Sequence, residues 1–273
     1  MARRSPQPAH GPRRSFLTPA LWIPAGLAAA LLGLPLVALV VRAPWAQLPE
    51  LLSRTEVLQA LGLSLGTAGV ATLVSLVLGI PLALVLARSA HWLAVPRRLL
   101  RALVAVPLVL PPVVGGVALL LLLGRQGLIG QFLPFTIPFT TSAVVIAQVF
   151  VAMPFLVLAV EGAIRASDRR FDVAAATLGA SRFTVLRRVT LPLVAPGVAA
   201  GALLCFTRAL GEFGATITFA GSFPGVTQTL PIATYLELQR DPDAAIALSL
   251  TLMVVSVAVL VSLRDRWVPG LTA

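Results

Sequence analysis

Between Glu56 and Arg88 the chain runs through Val57–Ala87 without one charged side chain. An α-helix rises about 1.5 Å per residue, so a helix of that length exceeds a hydrocarbon core of about 30 Å. The segment therefore predicts a membrane helix that tilts or begins outside the lipid. Lipid offers no partner to a free N–H or C=O, which restricts spanning segments to helices and closed barrels. Long apolar runs recur at residues 21–41, 102–124, 139–160, 191–220 and 244–263, with a turn-rich linker at 126–138. A chain that is 58% hydrophobic and only 11% charged is not a soluble domain. Residues 21–41 are long for a signal peptide, and Ala43 and Ala46 make a weak cleavage site, so this run is expected to stay as the first span. The expectation is an all-α membrane protein with six transmembrane helices over residues 21–266. A disordered basic arm precedes it at 1–20, a charged loop divides it at 161–190, and a short tail follows at 267–273.

The net charge is +11, and every basic residue is arginine. These arginines lie in short blocks between apolar runs rather than on one basic face, which fits membrane orientation and argues against a nucleic-acid partner. Sixteen of them fall in the arm, in Arg88–Arg101, in Arg165–Arg188 and at Arg264 and Arg266 after the last apolar run; Arg42, Arg54, Arg125 and Arg240 fall on the opposite side. Six spans and this asymmetry place both termini and the loop in the cytoplasm. A phosphate-binding P-loop requires a lysine, so the chain does not itself carry such an ATPase site. Cys205 is the single cysteine, and His10 and His91 are the only histidines, which leaves almost nothing from which to build a metal site.

The longest charged segment between apolar runs is Ser167–Pro192, SDRRFDVAAATLGASRFTVLRRVTLP. Ser167 or Asp168 can cap a first short helix, the alanines Ala174, Ala175 and Ala176 favour it, and Gly179 suits its left-handed end. Ser181 suits the cap of a second short helix that stops near Leu191–Pro192. A solvated basic loop and a close contact for another protein's backbone are both compatible with this pattern.

Arg208 and Glu212 are the only charges placed within lipid depth by this reading. Four residues apart on a helix, they can pair. Counting from Leu191 at about 1.5 Å per residue puts Arg208 about 25 Å along the fifth span, in its far half. One reading is an ion pair that pins the span to its neighbours; the other sets the pair at a gate or on an anion's route. Gly211 and Gly214 flank Glu212, and Thr207, Thr216 and Thr218 can serve an oxyanion or bond their own helix carbonyls. Pro107 and Pro111–Pro112 interrupt the third span, and broken helices are tolerated in lipid only where protein or a wet cavity covers the gap. Gly62, Gly66 and Gly69 suggest close approach of a neighbouring helix.

Two stretches carry a resemblance. Ala174, Ala175, Gly179, Val189, Leu191 and Pro192 are in register with the cytoplasmic EAA loop of binding-protein-dependent ABC importer permeases. Val173 stands at that pattern's glutamate, with Asp172 one residue earlier. The segment Arg208–Thr216, RALGEFGAT, resembles molybdate and sulfate importer permeases. Ile217–Phe219, Thr229–Pro231, Tyr235, VPLVLPPVVGG at Val106–Gly116 and Gly124–Gly127 resemble the molybdate branch. The resemblance implies a MetI-like permease fold whose loop docks on a separate ABC ATPase subunit through Asp172, Ala174, Ala175, Gly179, Leu191 and Pro192. It implies a gate formed by the third and fifth spans, with Pro111, Pro112, Gly115, Arg208, Glu212, Gly214 and Thr216 as candidates. It further implies a homodimer in a prokaryotic plasma membrane and an external molybdate-binding protein. No cofactor is expected on this chain, since ATP and Mg belong to the partner. Sulfate or tungstate transport is the nearest alternative; a membrane-embedded enzyme or a passive anion channel is the alternative of a different class.

Overall fold

The structure, a computed structural model, describes residues 21–89, 92–168 and 170–267, with side chains except at 260 and 262–267. The expected arm, the tail beyond Trp267, His10 and His91 lie outside the described residues. Every described element is a helix or a connection between helices, as the all-α reading requires. The chain forms two compact units, Met1–Arg42 and Ala43–Ala273. The first contributes α1 (Trp22–Arg42), an apolar helix that carries Pro35 and buries none of its residues.

In the second unit, α2 (Leu48–Ser53) leads into α3 (Thr55–Arg88), followed by α4 (Ala94–Val109) and α5 (Pro112–Leu123). The long α6 (Thr141–Ala166) then precedes α7 (Arg170–Thr177), α8 (Arg182–Val185), a π-helical turn at Leu186–Thr190 and α9 (Leu191–Leu210). The chain ends through α10 (Gly214–Ala220), α11 (Leu230–Glu237) and α12 (Pro242–Trp267). Helix α6 is the hub, packed against α3, α9, α10, α4 and α5. Its core partners are mostly small: Ala68, Ala71 and Ala83 of α3 and Cys205 and Ala209 of α9 are fully buried around Ala152, Leu156 and Val160. Between lipid-facing helices such contacts rest on packing, which favours small residues where backbones approach. Gly197 meets Ala163, and a methyl group at Gly201 would lie 3.1 Å from Ala159 Cβ. Gly62, Gly66 and Gly69 do not play this part within the chain, because a methyl group at any of them meets nothing within 4 Å.

Five described helices are long and apolar enough to cross a membrane, or six when a bent pair counts as one span. That pair is α4 and α5, inclined at 118°. The third apolar run is therefore two helices, and α4 begins at Ala94, so Arg97, Arg98 and Arg101 are helical. Pro107 lies inside α4 without ending it. The break comes at consecutive prolines, each of which disfavours the α region for the residue before it. Leu110 (ψ 130°) and Pro111 (ψ 132°) are both extended.

The fifth run is also broken, between Leu210 and Gly214. In an unbroken helix the N–H of Ala215 would bond the carbonyl of Gly211. The carboxylate of Glu212 takes that N–H instead, at 2.9 Å from Oε1. A third departure concerns the loop: the second short helix does not stop near Leu191–Pro192. The π turn carries the path from α8 into α9, and Pro192, which has no N–H to donate, lies directly after it.

Candidate functional site

The candidate residues gather at two places near the opposite ends of α9. At its far end, the heads of the two half-helices α5 and α10 meet. A methyl group at Gly214 would lie 2.9 Å from Pro112 Cβ and 3.1 Å from the backbone nitrogen of Val113. One at Gly116 would lie 2.8 Å from the carbonyl oxygen of Ala215. Gly115 is buried under Phe150, whose Cε1 would be 2.8 Å from an added methyl. Pro111 and Pro112 remain exposed at the elbow.

Glu212 is 1% exposed, yet it has two jobs within four residues of itself. Oε1 caps α10 through Ala215, and a negative charge at a helix head is favoured by the aligned peptide dipoles. Oε2 lies 2.6 Å from Nη1 of Arg208, an ion pair in which the N–H does not point along the hydrogen-bond direction. The Arg208 side chain keeps 29% of its surface open and has donors to spare. Both functions of Glu212 are fulfilled without a substrate; the free face of Arg208 is not accounted for by them. Thr207 and Thr218 donate to their own helix carbonyls, Leu203 at 3.0 Å and Gly214 at 2.8 Å. Thr216 is buried, and its hydroxyl has no partner among the described residues. Phe213, inside the break, rests on Tyr235 of α11 with ring centroids 5.0 Å apart.

At the other end, α7 and α8 form a small exposed hairpin. Asp168 accepts from the N–H of Arg170 at 2.9 Å, and Ser181 accepts from that of Thr184 at 3.2 Å. Gly179 has φ +84° with open space around it. Asp172 points back into its own chain: it accepts from the hydroxyl of Thr190 at 3.0 Å and lies 3.8 Å from Nη2 of Arg88. The acid thus ties α7 to the end of α3 and to the π turn that precedes α9. Ala174 is exposed and Ala175 half-buried, while Leu191 and Pro192 begin α9 behind them. The surface around the alanines is apolar, since Phe171, Val173, Leu178 and Phe183 are all more than half exposed.

Sequence reasoning missed those apolar side chains, which stand among arginines in a segment that reads as polar. It also missed Glu161, a second buried carboxylate, held by Arg101 at 2.6 Å and Arg165 at 2.8 Å. The legible signal was Arg165 four residues after the lone acid at the end of an apolar span.

Comparison with known proteins agrees with this architecture. Residues 79–269 match the family described as binding-protein-dependent transport system inner membrane component. The molybdenum transport system permease protein ModB of Mycobacterium tuberculosis is 50% identical over 90% of this chain and 93% of its own length. ModB of Escherichia coli is 39% identical over 77% of this chain and 92% of its own. Among solved structures, a bacterial alginate ABC transporter bound to its pentasaccharide-loaded periplasmic protein aligns with a TM-score of 0.72 at 16% identity, covering 90% of this chain and 92% of that one. The inward-facing MetNI methionine ABC transporter aligns at 0.62 and 17% identity, covering 76% and 93%. The sequence match spans most of the chain and the fold match is independent of it: this chain belongs to the family of inner membrane components of binding-protein-dependent transport systems.

Proposed function

We propose that this chain is the membrane permease subunit of an ABC importer for molybdate, and that it makes and breaks no bond in its cargo. The observation that carries the cargo assignment is the 50% identity, over nine-tenths of the chain, to a molybdenum transport permease. The site geometry is compatible with that work. Two half-helices meet at the far end of the bundle beside an arginine with free donors, which suits a doubly negative oxyanion.

In this reading the chain pairs with a second copy in the plasma membrane, with both termini and the α7–α8 hairpin in the cytoplasm. An ATPase subunit, holding ATP and Mg, seats the hairpin on its surface through the exposed apolar side chains around Ala174 and Gly179. An external binding protein delivers the anion to the opposite face. Closure of the ATPase pair moves the hairpins, and that movement opens the α5–α10 contact.

The test is uptake of radiolabelled molybdate by vesicles containing the permease and its ATPase, with and without the binding protein, and with sulfate and tungstate as competitors. Binding-protein-dependent molybdate uptake is expected. Uptake that sulfate suppresses as well as unlabelled molybdate does would reject the cargo assignment. Failure of any ATPase subunit to copurify would reject the importer assignment as a whole.

A further inference from the structure

A cavity of about 340 Å³ opens where the ends of α3 and α6 meet the middle of α4, lined by Leu86, Arg101, Val104, Leu158, Glu161 and Arg165. Its polar end holds two guanidiniums and one carboxylate. Arg101 Nη2 and Arg165 Nε both donate to the same Oε1 of Glu161, at 2.6 and 2.8 Å, and Arg165 Nη2 donates to the carbonyl of Leu86 at 3.3 Å. A guanidinium has five donors, so several remain, and the cluster has one positive charge in excess. Glu161 is nearly buried, whereas the arginine side chains are about half open, Arg101 at 50% and Arg165 at 45%.

The surroundings are apolar on one side and basic on the other. Helix α4 contains no acid; Arg97 stands one turn before Arg101 on the same stripe, and Arg98 adds a further charge. The rest of the pocket's lining is apolar, with Leu86 of α3, Val104 and Ala105 of α4 and Leu158 of α6. Trp92, 47% exposed just before α4, is of the residue type that gathers at membrane–water interfaces. A guanidinium pair beside an apolar wall matches a molecule with an anionic head and hydrocarbon tails.

We propose that this pocket binds the phosphate of an anionic phospholipid, with Arg101 and Arg165 bridging the phosphate oxygens and the acyl chains lying against Val104, Ala105 and Leu158. A free anion would meet the same donors but leave the apolar wall uncovered. Occupancy would fix α4, and hence the elbow at Leu110–Pro111, relative to α3 and α6.

The full-length permease, purified in mild detergent, is incubated with equal amounts of phosphatidylglycerol and phosphatidylcholine, and bound lipid is counted by native mass spectrometry. Phosphatidylglycerol should be preferred, by roughly fivefold per participating guanidinium. Glu161→Gln keeps an oxygen acceptor for the arginines while removing the opposing charge, so it should increase that preference. A triple variant, Arg101→Gln with Glu161→Gln and Arg165→Gln, strands no charge and should abolish it. An unchanged preference in the triple variant, or a reduced one in Glu161→Gln, would overturn the proposal. If inorganic phosphate alone competes phosphatidylglycerol off at comparable concentration, the pocket serves a free anion and the lipid assignment falls.

Discussion

Gly214 heads α10 where a methyl group would press on Pro112 Cβ at 2.9 Å, while Gly179 sits in an exposed hairpin with nothing within 4 Å. The first position requires space; the second, at φ +84°, requires a left-handed backbone. The carboxylates beside them differ in the same way. Glu212 is buried and takes its partners from residues three and four away, so it shapes its own break. Asp172 is part-exposed and reaches Thr190 and Arg88, so it joins separate elements. One end of α9 is a close-packed joint, and the other is an exposed surface with an apolar centre. Substitutions at the first should therefore act on folding, and substitutions at the second on work with a partner.

The largest effect is expected from Arg208→Met, which leaves Glu212 charged and buried without its cation, at about 3–5 kcal/mol. Membrane abundance should collapse, and Arg208→Met combined with Glu212→Gln should restore most of it. Uptake by that double variant then separates the two readings of Arg208. Full molybdate transport would remove the arginine from the anion's route, while normal abundance with little transport would place it there. A smaller loss, about 1–3 kcal/mol, should follow Gly214→Val through overpacking against α5. Abundance equal to wild type would show that α5 and α10 are not locked together as described.

Gly179→Leu should cost about 1–2 kcal/mol for its left-handed backbone, because no atom stands in the way of the side chain. The protein should reach the membrane, yet ATP hydrolysis by the assembled importer should no longer drive uptake. Normal uptake would count against docking by this hairpin. The smallest effect belongs to Asp172→Asn: the amide oxygen can still accept from Thr190, and the ion pair to half-exposed Arg88 contributes about 0.2–1 kcal/mol. Transport should stay within about fivefold of wild type on that magnitude; a loss of more than about tenfold would mean that the charge itself conveys movement from α7.

Much of this was legible in the chain. Apolar length marked the membrane helices, and the Arg208–Glu212 spacing marked a pair that the structure forms. The sharp breaks were legible only in part. Prolines at 111 and 112 signalled one, but the angle of 118° depends on what α5 packs against. The break before Gly214 arises because a side chain outcompetes a backbone carbonyl, a contest between two acceptors that spacing alone does not decide. The Glu161 cluster was hidden because two of its three charges come from other parts of the chain or lie in a stretch that reads as an ordinary basic loop.

The π turn at Leu186–Thr190 has a mechanical meaning. It makes Arg182–Leu210 one helix of 29 residues, close to 43 Å long at about 1.5 Å per residue. A rod of that length that tilts by about 10° about its midpoint carries its two ends about 4 Å in opposite directions. The hairpin is attached at one end of this lever and Glu212 follows the other. A rod pivoting in that way would deliver a push on α8, reversed in direction, to the place where α10 touches α5.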